Sequence, residues 1–203
     1  MGSIPLLRSF IQLLGQQFAA MFTVNKSNER LRALGLPSDK VKISEMLQWV
    51  EDCYLAFSVS LFTESHHRQQ ANPKKIYWID NGLIRANSSS SELNSGRLLE
   101  NAVFLALRSR GHKIGYFKDT TGREVDFVVD GKYLIQVCER IDDPKTRERE
   151  LSALDSAMNV LGVKKAYLIS LDSRESILLN SKPKRTIEMI PASDWLATKE
   201  LVF

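Results

Sequence analysis

The chain has 203 residues, 43% of them apolar and 26% charged, with 28 Lys and Arg against 24 Asp and Glu for a net charge of +4. That length holds one large domain or two small ones, and these proportions are ordinary for a soluble protein, deciding neither for nor against an enzyme. The basic surplus is spread evenly, nine basic and seven acidic groups in residues 1–80 and nineteen and seventeen beyond, which excludes a cationic tail acting as a phosphate clamp.

From the start, apolar residues among Leu6, Leu7, Phe10, Ile11, Leu13 and Leu14 recur at helical spacing, predicting a helix over residues 5–20 with Pro5 in its first turn. The opening Met1-Gly2-Ser3 leaves the natural start of the protein undetermined. Thr23 or Asn25 caps a second helix that Gly35 stops, and a third begins at Ser38 or Asp39 and turns Val41, Ile43, Met46, Leu47 and Val50 inward. Tyr54 to Phe62 and Lys75 to Asp80 are strand-like, with the polar run Thr63 to Asn72 between them. Three helices followed by a ribbon with a polar tip is the winged-helix layout.

Asn87 to Gly96 is Ser-rich and nearly without apolar residues, so it reads as a linker open to disorder and proteolysis. The domains expected are residues 1–84, winged-helix-like, and residues 97–203, with 85–96 between them. In the second, a helix runs from Arg97 to Arg110, strands follow at Lys113 to Lys118, Glu124 to Val129 and Tyr133 to Cys138, a long helix spans Pro144 to Leu161, and Ala166 to Leu171 forms a buried strand. Short elements are expected near Ile187 to Pro191 and Ala192 to Ala197. This order predicts an α/β domain with a mixed central sheet, and an α+β chain as a whole.

Cys53 and Cys138 are the only cysteines and lie in no metal-binding spacing, so neither a disulfide scaffold nor a zinc site is expected. No apolar run is long enough to span a membrane, and a cytoplasmic location follows by default.

Three stretches carry a resemblance. Lys75-Ile76-Tyr77-Trp78-Ile79-Asp80-Asn81-Gly82-Leu83, Gly96-Arg97-Leu98-Leu99-Glu100-Asn101 and Gly122-Arg123-Glu124-Val125-Asp126-Phe127-Val128-Val129 occur in an order that resembles the C-terminal region of prokaryotic AAA-type ATP-binding proteins. Leu134 to Cys138 and Asp143 to Glu150 resemble the same family. The resemblance implies a winged helix followed by a domain similar to the PD-(D/E)XK nucleases, with the ATPase domain itself lacking.

Such nucleases hold Mg²⁺ with carboxylates against a scissile phosphate and use a Lys to align water and offset charge. By that resemblance Glu100 matches the helix acid, Asp126 the strand Asp, and Gln136 the first member of the Glu/Gln-x-Lys pair, while Cys138 stands where the Lys belongs. A weak Mg²⁺ site at Glu100 and Asp126 is the expectation, with no catalytic centre. Arg140, one pleat on, is too basic to act as a general base. Taken apart from the resemblance, Glu100 is a solvated or capping acid, Asp126 a surface group near a turn, and Cys138 a small apolar residue.

No Gly-x-x-x-x-Gly-Lys-Ser/Thr loop occurs, so no ATP site is expected. His66-His67, in the polar tip, read as solvated. Lys40, Lys42 and Gln48 on the third helix are the candidate nucleic-acid contacts, but Glu45, Glu51 and Asp52 on the same helix repel phosphates. The reading that best fits is a non-catalytic interaction module of an AAA-type ATPase, its partner the missing ATPase domain, a further copy of the chain, or DNA. The alternatives are a metal-dependent DNA endonuclease and a winged-helix DNA-binding protein.

Overall fold

The computed structural model of the chain describes residues 4–87, 94–179 and 184–198. Its fold is mixed, with helices and two sheets, one three-stranded and the other six-stranded. The residues group into two compact units: residues 1–60 with 65–101, and residues 61–64 with 102–203. The sequence places the break at 85–96, and residues 88–93 of that run lie outside the described residues.

In the first unit α1 (Ile4–Gln16) buries Leu6, Phe10, Leu13 and Leu14 along one stripe. It ends earlier than expected because Ala19 turns through φ +46° and the chain enters a short strand, β1 (Ala20–Phe22). Thr23 caps α2 (Val24–Ala33) by accepting from the Lys26 amide, and Asp39 caps α3 (Lys40–Asp52) by accepting from the Lys42 amide at 2.9 Å. Ile43, Met46, Leu47 and Val50 are buried as expected, but Val41 is exposed, since it lies half a turn away from them.

The predicted strand 54–62 shortens to β2 (Ala56–Val59), because Tyr54 adopts φ +59°. The polar run taken for a bare tip contains a short helix, α4 (His66–Ala71), capped by Ser65. β3 (Lys74–Trp78) pairs antiparallel with β1 on one side and β2 on the other. Asp80 then accepts from the Leu83 amide and opens α5 (Asn81–Asn87), and a Cβ on Gly82 would meet the Asp80 carboxylate at 2.8 Å. The Asp-Asn-Gly-Leu run is therefore a cap in which a larger third residue would have to displace the capping carboxylate.

Helix α6 (Ser95–Ser109) belongs to the first unit as far as Asn101 and to the second from Ala102, where Val103, Phe104 and Leu107 are buried. The second unit continues with β4 (Ile114–Lys118), β5 (Glu124–Val129), β6 (Tyr133–Val137), α7 (Pro144–Leu161), β7 (Lys165–Ser170), β8 (Glu175–Leu179), β9 (Arg185–Pro191) and α8 (Ala192–Ala197). The six-stranded sheet has the order β4-β5-β6-β7-β9-β8. β6, β7 and β9 run parallel, and the other neighbours are antiparallel, giving the mixed sheet that the helix-strand order predicts.

α7 joins the parallel neighbours β6 and β7. It buries Ala153, Leu154, Ala157 and Met158 in one core with Val128, Leu134, Ala166, Leu168 and Ile187. Asp143 caps α7, Pro144 occupies its first turn, and Gly162 ends it at φ +68°. β8 is an element that the sequence reading did not contain, since its burial does not alternate cleanly. At the other edge of the sheet Leu61 bridges to Tyr116, and the Phe62 amide donates to the Tyr116 carbonyl at 2.7 Å.

The β4–β5 turn is tied to α7 through Asp119. Its carboxylate accepts from the Thr121 and Arg123 amides, the Thr121 hydroxyl and, at 2.8 Å, the Ser156 hydroxyl. Burial pushes its pKa up, but these hydrogen bonds outweigh burial and hold it at about 2. A depressed carboxyl pKa stabilises the fold above the unfolded value, about 3.9, and that contribution is lost as pH falls through the folded value. The turn is expected to release from α7 between about pH 4 and pH 2, read as loss of amide protection at Thr121 and Arg123. Asp119→Asn should remove this pH dependence, and an unchanged acid profile in that variant would show that the tie does not titrate.

Candidate functional site

The residues singled out in the sequence fall into both units. Glu100 belongs to the first and Asp126, Gln136 and Cys138 to the second.

Glu100 is buried, and its Oε1 accepts from the Tyr77 hydroxyl at 2.6 Å and from the Lys75 ammonium at 3.1 Å. Lys75 and Tyr77, two apart on β3, share a face of that strand and so reach the same carboxylate. Asn101 accepts from the Trp78 amide and donates to the Trp78 carbonyl and to Asn81. Glu100 is thus neither solvated nor a helix cap. Removing one member of a buried ion pair strands the other, at a cost of about 3–5 kcal/mol. Glu100→Ala should lower unfolding stability by about that amount, with Glu100→Gln milder because it still accepts from Tyr77. Urea denaturation checks this, and a loss below about 1 kcal/mol for Glu100→Ala would show that the pair contributes little.

Asp126 and Gln136 stand opposite each other where the β5–β6 ladder ends, one step beyond the Phe127–Ile135 pair. Each side chain takes the backbone of the facing strand. The Asp126 amide donates to Gln136 Oε1 at 3.1 Å, and the Val137 amide donates to Asp126 Oδ2 at 2.9 Å. Gln136 Nε2 then donates to Glu150 Oε2 at 2.7 Å, and Glu150 Oε1 accepts from Arg149 Nε at 3.0 Å. Asp126, Gln136 and Glu150 are all buried. With Arg149, Arg123 and Thr121 they line a cleft of about 400 Å³.

Glu150 and Arg149 were not among the residues expected here. A signal for Glu150 was present, because it falls on the inward stripe of α7 three and four residues before Ala153 and Leu154. Cys138 is half-buried and its thiol donates to the Arg140 carbonyl at 3.0 Å. Burial, followed by the charge of Glu150, pushes that thiol up from its ordinary value, which keeps it protonated and unreactive. Arg140 is exposed.

The arrangement does not fit a catalytic Mg²⁺. Residue 136 is a neutral amide already bonded on both sides, Glu150 is engaged by that amide and by Arg149, and no lysine stands at 138. Among the described residues no three His, Cys, Asp or Glu side chains are grouped so as to hold a metal ion. Of the candidate nucleic-acid contacts, Lys40 is exposed, Lys42 pairs with Asp39 at 3.3 Å, and Gln48 donates to Asp52 at 2.8 Å. His66 and His67 are exposed on α4. Among the described residues no helix is long and apolar enough to cross a membrane.

The contact between residues 136 and 150 calls for a donor at 136. A carboxylate at 136 would face Glu150 at about hydrogen-bonding distance, and two such groups cannot both ionise. Gln136→Glu should therefore fold normally below pH 4.3 and lose about 3 kcal/mol by pH 8, since a raised folded pKa costs stability above the unfolded value. Exchanging the roles in Gln136→Glu with Glu150→Gln should restore it. A denaturation midpoint of Gln136→Glu that matches the unmodified chain at pH 8 would refute the contact.

Comparison with known proteins divides the chain at nearly the same place. Residues 95–193 match a domain of unknown function (DUF4143), and residues 2–94 match another (DUF8612). An uncharacterized protein of Methanocaldococcus jannaschii is 30% identical over 190 residues, which cover 89% of this chain and 42% of that protein. An uncharacterized protein of Haemophilus influenzae is 25% identical over 199 residues, covering 94% of this chain and 46% of that protein. The chain thus spans less than half the length of the curated relatives it matches. No solved structure matches it significantly.

Proposed function

We propose that this chain is a non-catalytic C-terminal interaction module of an AAA-type ATPase, in which a winged-helix-like first unit and a degenerate nuclease-like second unit engage a protein or nucleic-acid partner. The observation that carries the reading is Gln136. The residue that would be a metal-binding carboxylate in a nuclease is an amide that joins the Asp126 backbone to Glu150. A cleft whose polar atoms satisfy one another is suited to holding a fold rather than to activating water.

The association with an ATPase rests on the resemblance of the three sequence stretches, and the match of residues 95–193 to DUF4143 supports it. The length of the relatives beyond the shared region leaves room for an ATP-binding domain. The partner is then that domain, another copy of the chain, or DNA, and the setting is cytoplasmic. The order of α1, β1, α2, α3, β2 and β3 around a three-stranded sheet supports the winged-helix reading of the first unit. Metal-dependent cleavage is the second reading, favoured by Asp126 and Glu150 opening on one cleft beside Arg149. In that reading Asp126 holds Mg²⁺ weakly, whereas the Glu100 carboxylate is engaged by Lys75 and Tyr77.

A plasmid-nicking assay with Mg²⁺ or Mn²⁺ separates the two. The unmodified chain is expected to stay at background, because single catalytic groups of this kind are each worth about a hundred- to a thousandfold in rate. Metal-dependent cleavage that disappears in Asp126→Ala would overturn the non-catalytic reading and establish the endonuclease.

A further inference from the structure

The solvent-facing side of α3 sets an exposed tryptophan between two carboxylates. The buried residues Ile43, Met46, Leu47 and Val50 define the inner stripe, which places Val41, Glu45, Gln48, Trp49 and Asp52 on the outer side. Trp49 is 46% exposed and Val41 67%, with Tyr54 just beyond the helix at 63%. A Trp indole in water is a costly arrangement for a residue whose main asset is its apolar area. Glu45 precedes Trp49 by four residues and Asp52 follows it by three, so both carboxylates are its neighbours on the helix surface.

Those two charges are uncompensated. Glu45 and Asp52 make no ion pair among the described residues, and the hydrogen bond that Asp52 accepts comes from the neutral Gln48. Lys42, the cation on that side of the helix, is already paired with Asp39. In a chain of net charge +4, this face is a local acidic patch built around an aromatic ring. Such a patch repels a phosphate backbone and attracts cations, and a guanidinium or ammonium gains further by lying over an indole face.

We propose that the outer face of α3 docks an arginine- or lysine-bearing segment of a partner protein, with the cationic head group over Trp49 and paired with Glu45 and Asp52. The proposal rests on the interaction-module reading and narrows it, assigning α3 to protein contact rather than to reading DNA. Charge complementarity selects the occupant, and the aromatic ring supplies the anchor common at protein interfaces.

The test uses the full chain and octa-arginine as the probe. Trp78 and Trp195 are buried, so a peptide-induced change in tryptophan emission reports Trp49. Saturable binding with such a change is expected, weakening with added salt, while octa-glutamate and a 20-base-pair DNA duplex leave the emission unaltered. Glu45→Gln with Asp52→Asn should weaken octa-arginine about tenfold, the size expected for two exposed ion pairs. Trp49→Ala, followed by calorimetry, should weaken it about threefold or more. Far-UV circular dichroism verifies that these surface variants remain folded.

Four results would overturn the proposal: no emission change up to millimolar peptide, equal affinity in the double variant, DNA that perturbs Trp49, or self-association of the chain that Trp49→Ala abolishes. The last would make a second copy the occupant. DNA cleavage is read separately on the same protein, so loss of the non-catalytic reading and loss of this docking face are distinguishable.

Discussion

A carboxylate buried at Glu150 needs a hydrogen-bond donor, and not a second carboxylate, at residue 136. Gln136 meets that requirement at 2.7 Å while its oxygen accepts from the amide of Asp126, so one side chain joins two strands to the helix that crosses over them. The rest of the cleft follows. Arg149 is held against Glu150, which raises the guanidinium further, and burial, followed by the charge of Glu150, pushes the Cys138 thiol up. The arginine on α7 balances the buried carboxylate.

The first unit has a comparable device of different chemistry. Glu100 gathers a lysine and a phenol from alternate positions of β3, and Asn101 grips the backbone of Trp78, the residue that follows them on the strand. Buried ion pairs of this type fix which groups must meet more than they add net stability, since desolvation offsets most of the Coulomb attraction. Both sets of polar contacts thus fix register.

The helix caps and stops were legible in the sequence. Thr23 and Asp39 accept the amides expected of capping residues, and Gly162 takes the left-handed turn that ends the long helix. These features are local, because a cap depends on residues within one turn of the chain. The elements that departed from expectation were decided by neighbours. β1 forms because β3 offers it an edge, β8 because β9 does, and α4 arises from a polar run once Ser65 caps it. Of the candidate site, the resemblance alone grouped Glu100, Asp126 and Gln136, whereas the engagement of Glu100 by Lys75 and Tyr77 joins residues more than twenty apart and leaves no periodic trace.

The sequence by itself determined the mixed fold class, the main helices and the presence of an amide at position 136 and a thiol at 138, because periodicity, capping and residue identity are carried one position at a time. Only the tertiary structure decided what those side chains meet. Glu150 sits fourteen residues from Gln136, on another element, and its charge acquires a consequence only when the packing of α7 onto the sheet brings it to the amide and removes water from both. Electrostatic constraints between buried groups depend on distance and desolvation, and neither quantity exists until the chain has folded.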